Sequence, residues 1–162
     1  MKNNNSIKEI FELAVKNHQK SNFEKAEKFY NKILKINPNH FESIFLLGSL
    51  LAQIKKLNLA KKLLEKAIQI QPNHANAHNN LGAVFQELKD YQGALNFCQK
   101  AIQIQPNHVD AYYNSGNTLK SLGKHEDAKK HYQKVIEIKP NYLDVNNSLG
   151  VVFSALGEHE EA

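Results

Sequence analysis

Asparagines cluster in two stretches of the chain, and their side chains are suited to holding a peptide backbone. The first stretch contains Asn76, Asn79 and Asn80, and the second contains Asn114 and Asn117. Because a carboxamide both donates and accepts hydrogen bonds, a row of asparagines can bind an extended peptide with little regard for its sequence. The competing hypothesis is that asparagine is simply common here and that exposed polar side chains of this kind have no specific role.

The histidines do not have the arrangement of a metal site. Three of the eight, His40, His74 and His108, recur at intervals of 34 residues. Because each 34-residue segment contributes one of these histidines, successive rings should be separated by about the distance between two packed helices. Zinc, in contrast, requires its nitrogen ligands within about 2.1 Å of one point. The sequence therefore predicts no metal and no other cofactor.

Catalytic chemistry is not predicted either. Cys98 is the only cysteine, and its helical position predicts a buried thiol of low reactivity. No glycine-rich phosphate loop is present, and the pair Glu126 and Asp127 fits the first turn of a helix, where the helix dipole favours acids. These observations predict a non-enzymatic protein.

Composition points to a cytoplasmic protein without a membrane span. A single cysteine excludes an intrachain disulfide and suits a reducing compartment. The polar N-terminus does not resemble a secretion signal, and no apolar run reaches the roughly 18 residues needed to cross a bilayer.

The net charge of +5 is not read as a nucleic-acid signature. All 21 basic residues are lysines, and arginine, which supplies the bidentate contacts of most phosphate and guanine recognition, is absent. Residues 1–74 carry +7 and residues 75–162 carry −2. Most lysines fall on the second helix of each helix pair predicted below, where a run of charged residues is usually a solvent-exposed face.

The chain is one unit repeated. Pro38, Pro72, Pro106 and Pro140 follow one another at intervals of 34 residues, as do Gly48, Gly82, Gly116 and Gly150. After a polar leader over residues 1–6, this spacing defines four full repeats and one partial repeat. Their ranges are 7–40, 41–74, 75–108, 109–142 and 143–162.

In each repeat, apolar residues recur with the period of an α-helix in two segments, which meet near the fifteenth position of the repeat. At this position Gly123 and Gly157 are predicted to be helix C-terminal caps. First helices are predicted near 7–20, 41–54, 75–88, 109–122 and 143–156. Second helices are predicted near 23–35, 57–69, 91–103 and 125–137. The predicted N-caps are Ser6, Asn39, Asn73, Asn107 and Asn141, with capping-box partners at Glu9, Glu42, Asp110 and Asp144.

This pattern resembles the tetratricopeptide repeat family. Position 8 of each repeat is Gly or Ala, position 20 is Ala, and position 32 of each full repeat is Pro. The resemblance covers residues 7–162 and implies an all-α, right-handed α-solenoid of helical hairpins with a concave groove lined by the first helices. Asn80 and Asn114 at position 6 are similar to the asparagine ladder in the repeats of O-linked N-acetylglucosamine transferase.

The groove implied by this resemblance contains both carboxamides and aromatic residues. Among the residues at its lining positions, those predicted to bind a peptide are Phe45, Asn76, Asn79, Asn80, Gln86, Tyr113, Asn114, Asn117, Lys120 and Asn147. Phe45 belongs to an apolar patch with Phe11 and Leu46. The cations with which related repeats clamp the C-terminal tails of heat-shock chaperones are missing, so such a tail is not a predicted ligand.

The predicted function is a protein-interaction module that binds an extended peptide or a partner helix. One alternative is the substrate-recruiting N-terminal region of a larger enzyme such as a glycosyltransferase, because the sequence stops within a repeat. Another is a self-associating scaffold, because the incomplete fifth hairpin is expected to expose a packing face around Val152 and Leu156.

Overall fold

The computed structural model describes the backbone of residues 2–160 and the side chains of residues 6–157. Within these residues it contains nine helices and no strand. The chain divides into two compact units, Met1–Asn73 and His74–Ala162. The first unit contains α1 (Lys2–Gln19), α2 (Phe23–Ile36), α3 (Phe41–Gln53) and α4 (Leu57–Ile70). The second contains α5 (Ala75–Glu87), α6 (Tyr91–Ile104), α7 (Val109–Ser121), α8 (His125–Ile138) and α9 (Leu143–Glu160).

Consecutive helices form hairpins within each unit. In the first unit α1 packs on α2 and α3 on α4, and α2 joins the two hairpins by contacting α3. In the second unit α5 packs on α6 and α7 on α8, while α6 contacts α7 and α8 contacts α9. The predicted all-α fold of repeated helical hairpins is confirmed.

Most helix ends agree with the sequence pattern to within one residue, but the predictions at Ser6 and Gly157 are wrong. The helix α1 begins at Lys2, so Ser6 lies inside it and does not cap it with Glu9. The helix α9 continues through Gly157 to Glu160, so Gly157 is not a C-terminal cap. Residues 2–6 of the predicted leader thus belong to the first helix.

Histidines, and not asparagines, cap three of the first helices. The Nδ1 atoms of His40, His74 and His108 accept hydrogen bonds from the backbone N–H groups of Ser43, Ala77 and Ala111, at 3.3, 3.1 and 3.2 Å. Since the cap lies one residue later than predicted, the N-cap predictions at Asn39, Asn73 and Asn107 are wrong. The predicted capping boxes at Glu42 and Asp110 fail for the same reason, because these acids occupy the second helical position. Asn141 and Asp144 are displaced in the same way, because α9 begins at Leu143.

The turn inside each full hairpin has a left-handed residue at position 15. Gly123 has φ of 72°, and the equivalent Ser21, Lys55 and Lys89 have φ of 58°, 61° and 63°. In the hairpin of α7 and α8, the Gly123 N–H bonds to the Lys120 carbonyl and the Lys124 N–H to the Leu119 carbonyl. This is a Schellman motif, and the cap predicted at Gly123 is confirmed.

Small residues at positions 8 and 20 allow the two helices of a hairpin to approach closely. A Cβ atom on Gly82 would lie 2.7 Å from Cys98 Sγ, and one on Gly116 would lie 2.5 Å from the Tyr132 ring. The alanines at position 20 are fully buried in all four full hairpins: Ala26, Ala60, Ala94 and Ala128. Helix crossings at this distance have no room for a larger side chain.

The last helix, α9, buries one face against the preceding hairpin and leaves another exposed. Val145, Leu149 and Val152 pack into a core with Tyr132 and Val135. Leu143 and Phe153 are 80% and 51% exposed, and nothing lies within 4 Å of a Cβ atom placed on Gly150. The prediction that Val152 belongs to the uncovered face is therefore wrong, and Leu156 is partly buried against the same core.

Candidate functional site

The first-helix face of the second unit carries most of the predicted peptide-binding residues. Here α5 contacts α7, and α7 contacts α9, so these three first helices are neighbours. The predicted residues on this face are Asn76, Asn79, Asn80, Gln86, Tyr113, Asn114, Asn117, Lys120 and Asn147. Phe45 lies in the first unit.

Three asparagines on α5 and α7 form a hydrogen-bonded chain. Asn114 Nδ2 donates to Asn79 Oδ1 at 2.9 Å, and Asn79 Nδ2 donates to Asn80 Oδ1 at 3.4 Å. Asn79 is only 6% exposed, whereas Asn80 and Asn114 are half-buried. Asn79 therefore orients its two neighbours, while Asn80 and Asn114 keep part of their surface exposed.

Asn117 is held by a buried tyrosine. The Tyr132 hydroxyl donates to Asn117 Oδ1 at 2.8 Å, and burial raises the pKa of Tyr132 to about 12. Since the Asn117 side-chain oxygen is used by Tyr132, its Nδ2 group is the part left to donate to a ligand.

Gln86 and Thr118 form a second contact between α5 and α7. Thr118 Oγ1 lies 3.2 Å from the Gln86 side-chain oxygen and 2.8 Å from the backbone carbonyl of Asn114. Thr118 is fully buried and Gln86 is half-buried. The Gln86 amide is thus fixed at the edge of the asparagine chain.

In the third and fourth repeats, the last residue bonds to the second residue of the same repeat. His108 Nε2 lies 2.8 Å from Asn76 Oδ1, and the Tyr142 hydroxyl donates to Asp110 Oδ1 at 3.2 Å. Because His108 Nδ1 already accepts from Ala111, its proton is on Nε2, which donates to Asn76. Burial lowers the pKa of His108, which favours this neutral form.

Tyr113 lies among other aromatic rings on this face. Its ring centroid is 5.2 Å from that of Tyr142 and 6.0 Å from that of Tyr132. Lys120 and Asn147 are at the edges of the face, the first half-buried and the second exposed. Neither side chain has an ion pair or hydrogen bond with the described part of the chain.

In the first unit, Phe45 packs parallel to Phe41, with ring centroids 6.1 Å apart and an interplanar angle of 3°. Phe11 and Leu46, the other members of the predicted apolar patch, line two different cavities of about 400 and 430 Å³. The three residues therefore do not line one common cavity.

Among the described residues, no group of three His, Cys, Asp or Glu side chains is placed to hold a metal ion. Cys98 is fully buried, and burial raises the pKa of its thiol to about 12. The thiol is therefore protonated at neutral pH, which fits the predicted packing role.

Sequence reasoning missed the residues that orient this face. The hydrogen bonds of Tyr142 and His108 join residues 32 positions apart in the sequence, and Tyr132 reaches Asn117 from a second helix. The available signal was the recurrence of a histidine or tyrosine at the last position of every full repeat.

The repeat geometry is shared with known structures. Two crystal structures of MamA are 30% and 31% identical to this chain, with TM-scores of 0.82 and 0.80. They cover 96% and 92% of this chain, which spans 85% and 87% of theirs. A tetratricopeptide repeat profile matches residues 73–141, and the profile described as anaphase-promoting complex, cyclosome, subunit 3 matches residues 19–101. The chain belongs to the tetratricopeptide repeat family.

This tetratricopeptide repeat protein is also similar to a peptide complex. The first TPR of Spaghetti (RPAP3) is 25% identical, has a TM-score of 0.70, and covers 72% of this chain with 93% of its own length. That structure is bound to the HSP90 peptide SRMEEVD. The fold is that of a protein-interaction module. No curated protein matches the chain significantly.

None of the described helices combines the length and the apolar character required to cross a bilayer.

Proposed function

We propose that this protein is a non-catalytic interaction module whose first-helix face binds an extended peptide. The observation that carries the proposal is the hydrogen-bonded chain of Asn114, Asn79 and Asn80. Because the fold already orients these amides, binding a peptide costs less side-chain entropy of the protein than it would if the asparagines were mobile. The similarity to a peptide-bound tetratricopeptide repeat domain supports the same mode of binding.

The expected affinity is modest. Each hydrogen bond between a carboxamide and the peptide backbone contributes about 0.5–1.5 kcal/mol net, and the ordering of the peptide offsets much of the total. Four or five such contacts, with Tyr113 packing on the peptide, correspond to dissociation constants in the micromolar range.

The proposal is tested with a displayed library of random twelve-residue peptides, followed by calorimetry on the enriched sequences. Replacing both ligand-facing amides in the variant Asn80→Ala with Asn114→Ala is expected to weaken binding at least tenfold, since two or more hydrogen bonds are lost. Circular dichroism and thermal melting establish that the variant remains folded.

The matched control replaces two exposed asparagines on second helices, Asn31→Ala with Asn96→Ala. This variant should bind the same peptides with unchanged affinity. A library that yields no binding peptide, or an Asn80 and Asn114 variant with wild-type affinity, would contradict the proposal.

The ligand is not expected to be a chaperone tail of the kind bound by the Spaghetti domain. The cations that would hold its terminal carboxylate are replaced by Asn79 at position 5 and by Asp110 and Asp144 at position 2. Two carboxylates repel an acidic C-terminus.

Two alternatives from other functional classes rest on specific observations. The similarity of Asn80 and Asn114 to a glycosyltransferase ladder favours a substrate-recruiting role beside a catalytic domain, which the full reading frame would reveal. Exposed Leu143, Val151 and Phe153 on α9 favour self-association. For each role we propose a reducing, cytoplasmic compartment, because Cys98 is free.

A further inference from the structure

Two tyrosines and two aspartates lie together at the α9 end of the first-helix face. The rings of Tyr113 and Tyr142 are 5.2 Å apart at an angle of 52°, and both residues are half-buried. Asp110 and Asp144 are exposed at the second positions of α7 and α9. We call these four residues the tyrosine–aspartate cluster.

Both carboxylates act on the same phenol. The Tyr142 hydroxyl donates to Asp110 Oδ1, and burial raises the pKa of Tyr142 to about 12, with further contributions from Asp110, Tyr113 and Asp144. The phenol is therefore neutral at physiological pH, and it keeps its proton while donating it in the hydrogen bond to Asp110. The ring is held in place by this bond and by its contact with Tyr113.

A cation is the ligand that such a cluster favours. The face of a tyrosine ring attracts an ammonium or guanidinium group within about 6 Å of its centroid, and nearby carboxylates add a direct charge interaction. The chain itself illustrates the attraction, because Lys139 Nζ lies 5.3 Å from the centroid of the Tyr142 ring.

The charge of the whole first-helix face in the second unit points the same way. At the positions that line it, Lys120 is a cation and Glu87, Asp110 and Asp144 are anions, and Lys139 beside the Tyr142 ring is a second cation, so the anions are in excess. A peptide with a basic side chain thus balances charge on this face, whereas an acidic peptide adds to the repulsion.

We infer that the tyrosine–aspartate cluster binds the lysine or arginine side chain of an extended peptide whose backbone is held by Asn80 and Asn114. This inference rests on the proposed peptide-binding function and adds the specificity of the ligand. The bound residue is internal to the peptide, because the cluster attracts a cation and does not provide a site for a terminal carboxylate. The aspartates are specificity-determining residues, and the asparagines are sequence-independent backbone contacts.

The test uses two synthetic peptides with blocked ends that differ at a single residue. The first is a peptide enriched from the random twelve-residue library, and the second carries norleucine in place of its lysine, which keeps the unbranched carbon stem of the side chain and removes the charged ammonium group. The wild-type protein is expected to bind the lysine peptide about tenfold more tightly.

The decisive variant is Asp110→Asn with Asp144→Asn. It is expected to lose most of the tenfold preference by weakening only the lysine peptide. The matched control is Glu126→Gln with Asp127→Asn, which removes two negative charges from the first turn of α8 and should leave both affinities unchanged. A further pair addresses the ring: Tyr142→Phe should retain the preference and Tyr142→Leu should reduce it, with thermal melting as the check on folding.

The failures of the two proposals are distinguishable. If Asn80→Ala with Asn114→Ala weakens both peptides equally while the aspartate variant changes neither, the peptide-binding function stands and the basic specificity is overturned. Enriched peptides that lack lysine and arginine would overturn it as well. If no library peptide binds, the peptide-binding function and this inference both fail.

Discussion

Single side chains on the first-helix face differ in how much of their hydrogen-bonding capacity the fold already uses. Asn79 donates to one asparagine and accepts from another, and it is almost completely buried. Asn117 accepts from Tyr132, which leaves its amide group as a donor. The sequence pattern cannot separate these cases, because position 5 holds the buried Asn79 in one repeat and the half-buried Phe45 and Tyr113 in others.

The histidine caps predict that the second unit loses stability in mild acid. Burial is the main cause that lowers the pKa of His74, His108 and His131, so the unfolded chain takes up protons more readily than the folded one. Their stabilising contribution is therefore complete above about pH 6.5 and declines as the pH falls through that value toward the lower folded-state pKa values. Protonation of His74 or His108 also removes the Nδ1 acceptor from a helix N-terminus.

The measurement is the urea midpoint at pH 7.5, 6 and 5, a range above the ordinary pKa of exposed carboxyl groups. The midpoint should fall toward pH 5. The variant His108→Asn, which keeps a side-chain acceptor at the cap without a titrating ring, should show a smaller fall. The same pH dependence in wild type and variant would argue against the cap of α7 as a contributor.

At the scale of helices, the sequence predicts more than it does at the scale of side chains. Apolar periodicity and the 34-residue spacing place most helix ends within one residue, because every full repeat must pack against its neighbours in the same register. The sequence pattern places the N-caps one residue too early, because asparagine has a higher N-cap propensity than the histidine that follows it. The turn closes later, since the His40 N–H bonds to the Asn37 carbonyl and the His108 N–H to the Gln105 carbonyl.

Helix crossing at position 8 is tested by the same substitution at two equivalent glycines. Gly82→Leu should lower the free energy of unfolding by about 1–3 kcal/mol, because Cys98 Sγ and the Ala94 carbonyl already occupy the space. Gly150→Leu should raise it by several tenths of a kcal/mol, since leucine is the better helix former and nothing lies nearby.

Urea denaturation of both variants beside the wild type makes the comparison. Two variants with equal stabilities would show that close approach of α5 and α6 is not what requires glycine at position 82. Circular dichroism at zero urea gives the helix content of each variant and separates a local clash from general unfolding.

At the scale of the whole molecule, repetition makes the fold readable from the sequence, but it does not specify which repeat does what. Equivalent hairpins carry different residues at position 5, which is Phe45 in one repeat and Asn79 or Tyr113 in others. The tyrosine–aspartate cluster depends on contacts between residues 29 and 32 positions apart, Tyr113 and Asp110 with Tyr142. Such contacts follow from the stacking of α7 on its neighbours and are not encoded in any local pattern.

The exposed face of α9 predicts reversible self-association of the whole chain. In the preceding hairpins the glycines equivalent to Gly150 lie against a second helix, whereas the surface at Gly150 is open and Leu143 and Phe153 are exposed. A glycine between two exposed apolar side chains allows another helix to approach closely, and a second copy of α9 offers the same surface through a two-fold axis. Sedimentation of the wild type should therefore give a mass that rises above 18.4 kDa as its concentration increases through the micromolar range.

The variant Leu143→Gln with Phe153→Gln removes the apolar side chains and should remain at 18.4 kDa at every concentration. Leu59→Gln is the control, because Leu59 is 52% exposed on α4 and has similar apolar character outside this face. If α9 provides the contact, the control associates like the wild type while the double variant does not. A wild type that stays monomeric at the highest concentration would remove self-association as a role, and the exposed residues of α9 would then be available to a different partner.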